Sequence, residues 1–483
     1  MKLILSNTAH DAYRSVLDCL RRRLPEGGEH IVIVPDKFTA SSERGVLETL
    51  GLDAAFNVSV TSFTRLAEKT VGRKIKRCLT PQGSVMLLAK VIEEKRDLLV
   101  CYGKAAGAVG FAEEFYAALT AVRNSGITPA ELRSAANRAG SGLRGKLKDL
   151  SLIYDAYLGA LAGRHSDSST RLEFFADALE GGLVMPYHFY VVDFYDFKAP
   201  ELRILAGLSR TALSLTVGLV SGFSNPNRRI YCDNVARTLE RLTEGTERIV
   251  STEELHPVLQ AISERLFSYE RAEKPVENDG KVRLLRTPTV ADEVKNVVTE
   301  IVGKVRGGAR YRDFEVVLVT PDAYKDRLKA AFLRYGVPFF IDTREPLAEQ
   351  TKVRYLLSAI ATARGNFGRA DVLDLVKNPL FLATYPVEED DVFVFENYCL
   401  RFNVDRSRFR TPFSLGDDDV RARAEKVREA LCEALLPFAD FGEKRADGFV
   451  ACVRAFLDGG AVEWRGHSAE LTELNLSCAH CAE

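Results

Sequence analysis

The stretch Leu3-Ile-Leu-Ser-Asn-Thr-Ala-His-Asp-Ala-Tyr-Arg-Ser15 is the clearest indication of the fold in this sequence. A short apolar strand at residues 3–5 leads through a polar turn into a segment in which Tyr13, Val16 and Leu20 recur with helical spacing. Phosphate-binding loops are commonly mounted on a strand, a turn and a helix of this kind. The turn contains neither glycine nor lysine. The stretch therefore predicts the scaffold of such a loop without its chemistry.

The same alternation recurs along the chain. Apolar, β-branched runs lie at residues 30–34, 57–60, 189–192, 212–217 and 315–319, and amphipathic stretches of helical length separate most of them. This order predicts an α/β fold with parallel sheets. Because the carboxyl ends of parallel strands meet at one edge, the polar residues that follow each run are candidate ligand contacts. Capping of the next helix is the alternative role for each of them.

Changes in this pattern divide the chain. The strand signal disappears between Thr80 and Gly181, where helical periodicity predicts helices at 82–95, 111–125, 129–138 and 147–162. We predict a first α/β domain over 1–79 and 186–273, a helical insertion over 80–185, an incomplete second α/β unit over 281–354, and a truncated helical subdomain over 355–483. The second unit has a predicted helix at 291–305 and predicted strands near 316–319 and 338–341.

Composition and charge exclude several classes of protein. A hydrophobic content of 46% with 28% charged residues is that of a folded globular protein, and no apolar run approaches the ~18 residues that span a bilayer. The first residues are too short an apolar stretch for a secretory signal, and the nine scattered cysteines indicate reduced thiols, so we expect a cytoplasmic location. The 66 basic and 67 acidic residues nearly cancel, so any nucleic-acid site must be a local patch.

Several segments, taken in order, resemble one family. They are Ile33-Val-Pro-Asp-Lys-Phe-Thr39, Val60-Thr-Ser-Phe-Thr-Arg-Leu66, Gly110-Phe-Ala-Glu-Glu114, Ser125-Gly-Ile-Thr-Pro129, Leu147-Lys-Asp-Leu-Ser-Leu-Ile-Tyr154, Val192-Asp-Phe-Tyr-Asp-Phe197 and Gly336-Val-Pro-Phe-Phe-Ile-Asp342. Together they resemble the B subunit of the AddAB-type ATP-dependent helicase/deoxyribonuclease over residues 1 to about 385. The resemblance implies two RecA-like parallel-sheet units, each with a helical subdomain, as in superfamily 1 helicases.

The resemblance also implies a function and partners. It implies a bacterial protein that processes double-strand DNA ends for homologous recombination and DNA repair, bound to DNA and, as a heterodimer, to the A subunit of the helicase–nuclease. Family members carry a PD-(D/E)XK nuclease domain farther along, with an iron–sulfur cluster and Mg²⁺. These cofactors are implied only for that domain, which this sequence does not contain, and we expect none within the chain. We interpret the sequence as a fragment of a longer protein.

The first turn is where many family members place a glycine- and lysine-containing phosphate loop. Here Ser6, Asn7, Thr8, His10 and Asp11 occupy that place, and none of them supplies a phosphate-binding lysine or a close-approach glycine. A like charge such as that of Asp11 opposes a phosphate by about 1–4 kcal/mol at ~4 Å. We predict that the turn does not bind ATP. Asn7 or Thr8 is the expected N-cap, with Asp11 in the first turn of the helix.

Asp193 follows the predicted strand at 189–192, where a motor of this class holds its magnesium-binding aspartate. The neighbouring catalytic glutamate of such motors is replaced by Phe194, so ATP hydrolysis is not expected. Asp193 and Asp196 offer two carboxylates, for which metal binding and loop capping are the alternatives. We regard Asp193 as a vestigial site residue, and we predict no catalytic residue in this chain.

DNA contacts are the predicted surviving chemistry. The predicted DNA-binding residues, which resemble motor segments that touch single strands, are Lys37, Thr39, Thr61, Ser62, Phe63 and Arg65. They supply cations and hydroxyls for phosphates and one aromatic ring for base stacking. Burial in the core is the equal alternative for Phe63. The basic run at 73–77 is either an adjoining patch or a solvated helix end.

Two further groups of residues carry weaker signals. Cys478 and Cys481 form a lone CxxC with His467 as one further candidate ligand, which falls short of the four ligands of a structural zinc site. His165 and its hydroxyl neighbours resemble hydrolase residues by type alone, and we interpret them as a loop.

The sequence therefore favours a non-catalytic, helicase-like fragment that binds DNA and a larger helicase–nuclease partner. An active DNA-dependent ATPase or helicase is one alternative, and an interaction scaffold without DNA affinity is another. In the intact family protein, exonuclease activity is expected from the nuclease domain.

Overall fold

The computed structural model describes residues 1–36, 39–72, 78–108, 110–162, 165–221, 226–266, 275–341, 347–439 and 446–459. The chain forms two compact units, an N-terminal unit, Met1–Val282, and a C-terminal unit, Arg283–Glu483. The predicted residues Lys37, Cys478 and Cys481 and the basic run at 73–77 lie outside the described residues.

The N-terminal unit is built on one parallel sheet of six strands. The strands are β1 (Lys2–Ser6), β2 (His30–Ile33), β3 (Val58–Thr61), β4 (Met185–Val191), β5 (Ala212–Val220) and β6 (Glu247–Ser251). Their order across the sheet is β3-β2-β4-β5-β1-β6, and every pair is parallel. This sheet confirms the predicted α/β fold.

Eleven helices of the described N-terminal unit connect and cover these strands. They are α1 (Ala9–Arg23), α2 (Thr39–Leu50), α3 (Phe63–Val71), α4 (Pro81–Lys95), α5 (Phe111–Asn124), α6 (Pro129–Arg138), α7 (Ser141–Leu161), α8 (Ser168–Glu180), α9 (Ala199–Thr211), α10 (Pro226–Leu242) and α11 (Pro257–Arg265). Short 3₁₀ helices lie at Leu24–Glu26 and Arg96–Leu98.

Alternation along the central strand β1 places two separate cores on the two faces of the sheet. Leu3 and Leu5 pack in a core that includes residues of α3, α8 and α9. Ile4 packs on the opposite face with Val16 and Leu17 of α1. Because both faces of the sheet are covered here, β1 and β2 are nearly continuous apolar runs, as the sequence pattern predicted.

Glycine in β5 allows α1 to lie directly on the sheet. A Cβ atom at Gly218 would stand 2.6 Å from a methyl carbon of Val16 and 3.2 Å from the carbonyl oxygen of Ala12. Both neighbours belong to α1, and the carbonyl is backbone that has little room to move. The start of α1 is thereby held close to the carboxyl end of the sheet.

The predicted helical insertion has a core of its own. Leu88, Leu119, Leu132 and Tyr157, from α4 to α7 in order, are buried in one cluster. The helix predicted at 129–138 is confirmed as α6, whereas α7 begins six residues earlier than the predicted start at 147. Helix α8 was not predicted. Asp167 caps its first turn by accepting a hydrogen bond from the backbone N–H of Thr170 at 2.8 Å.

The described part of the C-terminal unit consists of helices. They are α12 (Val290–Arg306), α13 (Pro321–Tyr335), α14 (Thr351–Arg364), α15 (Arg369–Val376), α16 (Pro379–Thr384), α17 (Glu389–Arg401), α18 (Asp418–Ala434) and α19 (Ala446–Gly459), with short 3₁₀ helices at Tyr311–Asp313, Leu347–Glu349, Arg406–Arg410 and Leu436–Phe438. One core joins α12 to α13, and a larger one joins α14 to α19.

The strands predicted at 316–319 and 338–341 are absent, since no described residue of the C-terminal unit belongs to a hydrogen-bonded strand. Val317, Val319 and Phe340 are instead 80%, 98% and 88% exposed. An extended segment becomes a strand only by bonding to a neighbour, so apolar composition alone did not suffice here. These segments line an open cavity of about 860 Å³.

The sequence pattern also missed β6, which is five residues long and mostly exposed. The chain after β6 becomes helical at Pro257, where α11 begins. In the described parts of both units, no helix is long and apolar enough to cross a membrane.

Candidate functional site

The candidate site is the edge of the sheet at which all six strands end. Because every strand pair is parallel, the residues that follow Ser6, Ile33, Thr61, Val191 and Ser251 lie along that edge. The turn after β1 is flanked on one side by the end of β5 and on the other by the end of β6. We call this edge the strand-end edge.

The turn between β1 and α1 has the geometry of an ordinary helix cap. The hydroxyl oxygen of Thr8 accepts a hydrogen bond from the backbone N–H of Asp11 at 3.0 Å, which confirms Thr8 as the N-cap. Ser6 Oγ donates to Asp11 Oδ2 at 2.6 Å. The side chain of Asp11 is thereby tied to the end of the preceding strand. The first turn of α1 thus satisfies its polar groups from within the chain.

Glu253, two residues beyond β6, places its carboxylate at the N-terminus of α1. Thr8 Oγ1 donates to Glu253 Oε2 at 2.6 Å, and His10 Nδ1 lies 3.0 Å from Glu253 Oε1. The positive end of the helix dipole favours an anion at this position, and Glu253 supplies one. The hydrogen bonds from Thr8 and His10 lower the pKa of Glu253 below its usual value.

Asn7 fixes the same contact through the backbone. Its Nδ2 donates to the carbonyl oxygen of Glu253 at 3.0 Å, and its Oδ1 accepts from the backbone N–H of Glu253 at 2.9 Å. The sequence pattern does not reveal Glu253 as a site residue, because it does not predict β6 and because Asn7 and Glu253 are 246 residues apart. Once β6 pairs with β1, the residues after both strands become neighbours.

Little space remains between the start of α1 and the end of β4. The cavity there has a volume of about 10 Å³ and is lined by residues including Ala9, Tyr13, Asp193 and Gly218. Small-molecule sites in proteins typically have about 300–1,000 Å³, whereas about 10–15 Å³ accommodates one water molecule. The cavity beside Asp193 is therefore too small for a nucleotide.

Asp193 is half-buried and has a left-handed backbone with φ of 64°. Burial raises the pKa of its carboxyl group. Burial, followed by the nearby charge of Asp193, raises the pKa of Tyr13 to about 12. Asp196 has a different role, because its Oδ1 accepts a hydrogen bond from the backbone N–H of Phe197 at 2.8 Å. This bond supports the loop-capping interpretation of Asp196.

The aromatic residues that follow Asp193 pack together. The ring of Phe194 stacks on Phe197 at 5.1 Å between centroids and meets the edge of Phe63 at 5.4 Å. Phe63 is only 2% exposed, so it belongs to the core and is not available to stack on a base. This burial corrects the expectation that Phe63 contacts DNA. The ring packs α3 against the loop after β4.

The other predicted DNA contacts fall into three groups. Ser62 is buried and caps α3 by accepting from the backbone N–H of Arg65 at 3.3 Å, so its hydroxyl is engaged within the chain. Thr61 is partly exposed, and Arg65 is exposed. Thr39 is the first residue of α2, and its side chain is outside the described residues, as is the whole of Lys37. Arg65 is the described cation of this set.

No three His, Cys, Asp or Glu side chains within the described residues are placed to hold a metal ion. Cys19, Cys78, Cys101, Cys399 and Cys432 form no disulfide bond in the described part of the chain. Cys478 and Cys481 lie in the part of the chain that is not described. Asp196 is engaged locally, since its oxygen is occupied by a backbone N–H.

The sequence of this chain is similar to proteins of one known family. Residues 6–261 match the family described as ADDB, N-terminal. The chain is similar to the B subunit of the ATP-dependent helicase/deoxyribonuclease of Bacillus velezensis, with 27% identity over 442 residues, or 85% of the chain. It is 28% identical to the protein of that name from Bacillus subtilis over 82% of the chain, and 26% identical to that from Bacillus mycoides over 80%.

The chain spans 36% to 38% of the length of these curated relatives. The match to the family covers more than half of its 483 residues and includes β2 to β6 and the turn that Glu253 caps. The predicted resemblance is confirmed, and the chain belongs to the AddB family of helicase/deoxyribonuclease subunits, whose N-terminal domain it carries at residues 6–261.

Proposed function

We propose that this chain is a helicase-like, ATPase-inactive part of a bacterial helicase–nuclease that processes DNA double-strand ends in the cytoplasm for recombinational repair. In this proposal it binds single-stranded DNA and a partner motor, the A subunit of the helicase–nuclease, and it does not hydrolyse ATP. The single observation that carries the proposal is the carboxylate of Glu253 at the N-terminus of α1, bonded to Thr8 at 2.6 Å.

Electrostatics support the absence of nucleotide binding. A phosphate-binding turn needs free backbone N–H groups, a positive helix end and a lysine. In this turn the helix end already faces the anion of Glu253, and Asp11 adds a second carboxylate beside it. A phosphate would have to displace Glu253 and would then meet Asp11 without a compensating lysine. Like charges at ~4 Å cost about 1–4 kcal/mol.

The end of β4 supports the absence of hydrolysis. A motor of this class needs a metal-binding aspartate and a base that orients water. Asp193 borders a cavity of only about 10 Å³, and burial raises its pKa, which disfavours the charged form that a metal requires. The next residue, Phe194, packs on Phe197 and has no group that accepts a proton.

DNA binding is proposed from the family and from the strand-end edge. The relatives are called helicase/deoxyribonuclease subunits, so they act on DNA by name. On this chain, Arg65 offers an exposed guanidinium and Thr61 a partly exposed hydroxyl near it in sequence. Such groups bind phosphate oxygens without reading sequence. The relatives are also named as B subunits, which supports a partner chain, and we propose that the partner carries the active motor.

We propose the same domain boundaries that the sequence predicts. These are 1–79 and 186–273 for the first RecA-like domain, 80–185 for the helical insertion, 281–354 for an incomplete second unit, whose predicted strands are absent from its described residues, and 355–483 for the truncated helical subdomain. The iron–sulfur cluster and Mg²⁺ belong, in this proposal, to a nuclease domain of the full-length family protein. Exonuclease activity would come from that domain and not from the residues of this chain.

A salt titration tests DNA binding. The chain is titrated with a fluorescent single-stranded oligonucleotide at several salt concentrations, with Arg65→Gln beside Lys69→Gln as the matched control on the same helix. We expect Arg65→Gln to lower the slope of log affinity against log salt by about 0.7, the value for one phosphate contact, and Lys69→Gln to leave it unchanged. An affinity for the oligonucleotide that does not change with salt, or an absence of binding at low salt, would refute the proposed DNA binding. DNA-stimulated ATP turnover would instead favour an active helicase.

A further inference from the structure

Arginines gather on one surface of the helical part of the C-terminal unit. The five are Arg369 at the start of α15, Arg401 at the end of α17, and Arg406, Arg408 and Arg410 of the following 3₁₀ helix. We call them the arginine patch. All except Arg369 are exposed, and Arg369 is partly exposed. None of them belongs to the sequence-predicted DNA contacts.

Direct contacts hold the two loops of the patch together. The backbone N–H of Arg406 donates to the carbonyl oxygen of Phe367 at 2.9 Å, and the guanidinium carbon of Arg410 lies 4.7 Å from the centre of the Phe367 ring. Arg369 Nη1 donates to Asn403 Oδ1 at 3.2 Å. The loop before α15 and the loop after α17 therefore form one surface.

The other two arginines are held at the same place. Arg408 Nη1 donates to the carbonyl oxygens of Phe402 and Asn403, each at 3.3 Å. The guanidinium carbon of Arg401 lies 5.3 Å from the centre of the Phe402 ring. Stacking on a ring and bonding to carbonyls restrict a guanidinium without neutralising its charge.

Several exposed arginines of this chain are paired with carboxylates, and those of the patch differ. Arg203 and Arg310, for example, contact carboxylates at 2.6 Å and 3.0 Å. Within the described residues, Arg401, Arg408 and Arg410 form no ion pair with a carboxylate.

Two acidic residues neighbour the patch. The carboxylate of Asp405 lies 3.9 Å from Arg406 Nε, and its Oδ1 accepts a hydrogen bond from the backbone N–H of Arg369 at 2.8 Å. Asp371 of α15 lies against the loop before that helix, where a Cβ atom at Gly368 would stand 3.3 Å from its Oδ2. Two carboxylates beside five guanidinium groups still leave the patch with an excess of positive charge.

The backbone of both loops is strained. Of the six described non-glycine residues with positive φ, four lie here: Asn366 at 52°, Phe367 at 61°, Asn403 at 49° and Arg406 at 52°. Left-handed backbone costs roughly 1–2 kcal/mol for residues other than glycine, asparagine or aspartate. Such strain persists where the surrounding structure enforces it, and it concentrates at binding sites. The strain at Phe367 and Arg406 thus shows that the contacts between the two loops hold this surface in one conformation.

We propose that the arginine patch binds the phosphate backbone of a nucleic acid. Guanidinium groups hold phosphate oxygens through two parallel N–H bonds, and the patch contains arginine without lysine. Phe367 is buried and Phe402 is partly buried next to Arg401, so neither ring offers an open face for a base. The contact is therefore to phosphates and independent of base sequence. The inference goes beyond the proposed function, which places DNA contacts in the N-terminal unit.

The test compares two triple variants of equal charge. The patch variant is Arg401→Gln, Arg408→Gln and Arg410→Gln. The control variant is Arg310→Gln, Arg354→Gln and Arg421→Gln, three arginines of the same unit that are each paired with a carboxylate. Binding of a fluorescent oligothymidylate single strand and of a mixed-sequence duplex is measured by anisotropy over a range of salt concentrations. Vesicles containing an anionic phospholipid are titrated in parallel.

We expect the patch variant to lose affinity for one or both oligonucleotides by roughly 100-fold at about 0.1 M salt, with a salt slope lower by about 2, since each phosphate contact contributes about 0.7 for a single strand. The comparison of the two oligonucleotides then identifies single-stranded or duplex nucleic acid as the ligand. The control variant should bind like the wild type. Because Arg408 also braces its loop, the double variant Arg401→Gln and Arg410→Gln is measured as well and should show about two-thirds of that slope change.

Three results would overturn the proposal. They are equal affinities of the patch and control variants, no oligonucleotide binding by the wild-type chain, and binding to vesicles in place of oligonucleotides. The first result leaves DNA binding at the strand-end edge intact if Arg65→Gln alone lowers the slope. Conversely, a patch variant that loses affinity while Arg65→Gln has no effect would support the patch and refute the contact proposed at Arg65.

Discussion

The hydroxyl group of Thr8 donates a 2.6 Å hydrogen bond to the carboxylate of Glu253, which brings the N-terminus of α1 together with the segment after β6. In a nucleotide-binding member of this fold class, that end of the helix would face a phosphate. Here an internal carboxylate satisfies the same helix end. The N-terminal unit therefore keeps a phosphate-loop scaffold whose anion is its own side chain.

Replacing Glu253 by Gln should destabilise the N-terminal unit by about 1 kcal/mol, because a neutral amide interacts less with the helix dipole and with Thr8. Urea denaturation followed by circular dichroism measures the change. Glu254→Gln is the matched control, since Glu254 is the neighbour on the same segment. Equal stability of the two variants would show that Glu253 does not act as an anion at the helix end.

The pH dependence of the Glu253 effect has a defined sign. Hydrogen bonds from Thr8 and His10 hold the pKa of Glu253 below its usual value. The stabilisation is therefore present at neutral pH and is lost as pH falls through the range in which the carboxylate takes up a proton. The difference between wild type and Glu253→Gln should shrink as the solution is acidified from pH ~7 to ~4.

Asp193→Asn should stabilise the chain at neutral pH. Burial raises the pKa of Asp193, so the ionised form is the disfavoured one, and asparagine tolerates the left-handed φ of 64°. The gain should appear as pH rises through the range in which Asp193 ionises, and it should vanish in acid. Denaturation midpoints against pH measure it. Asp196→Asn serves as the control, and a loss of stability in Asp193→Asn would contradict the prediction by showing that the fold favours the ionised carboxylate.

The joint between the helical insertion and α8 depends on a buried ion pair. Arg123 Nη1 lies 2.6 Å from Asp167 Oδ2, and both side chains are at most 2% exposed. Burial alone raises the pKa of Asp167, but the charge of Arg123 and the hydrogen bonds from Thr170 outweigh it and lower the pKa. The stabilisation of the fold by the Asp167 carboxylate is thus lost as pH falls through its folded-state pKa.

Asp167→Asn should therefore cost about 3–5 kcal/mol, because it leaves the guanidinium of Arg123 buried without its charge partner. The exposed pair of Arg203 with Glu180 is the control, and Glu180→Gln should cost less than about 1 kcal/mol. Thermal unfolding of both variants compares the two. Similar losses would mean that the buried pair has no special role at this joint.

Two stacked histidines at the opposite edge of the sheet predict acid sensitivity. His30 and His188 lie 5.1 Å apart between ring centroids. Burial, then His188 and Arg23, lower the pKa of His30 below its ordinary value of 6.5. The unfolded chain binds the proton more readily, so stability should fall as pH drops below 6.5. His30→Gln should flatten this dependence in denaturation experiments, and a pH profile identical to that of the wild type would contradict the prediction.

The sequence predicted the parts of the fold that local pattern controls. Strand β2 and helix α6 were located within a residue or two because apolar runs and caps are contiguous in sequence. Strand β6 was missed because it lies at the sheet margin and is mostly exposed, so it lacks a continuous apolar run. At residues 316–319 a strand was predicted that the structure does not contain. An apolar run becomes a strand only when it bonds to a neighbouring strand.

The sequence shows which phosphate-binding residues the candidate site lacks, but it does not reveal the contact of Glu253 with Thr8. The lack of glycine and lysine at residues 6–11 is visible in the sequence, and it led to Thr8 as a candidate cap. Glu253 becomes visible only from the sheet order, because it lies 245 residues from Thr8. The sequence left core and surface as equal alternatives for Phe63, since an aromatic residue at the start of a helix can take either position. Its packing against Phe194 shows that it belongs to the core.

We expect the first turn of α1 not to bind nucleotide. Calorimetric titration of the chain with Mg-ATP measures this, with Glu253→Gln beside the wild type. Neither protein should give saturable heat, because removing the carboxylate restores neither the lysine nor the glycine that a phosphate requires. Stoichiometric binding with a Kd in the micromolar range would contradict it.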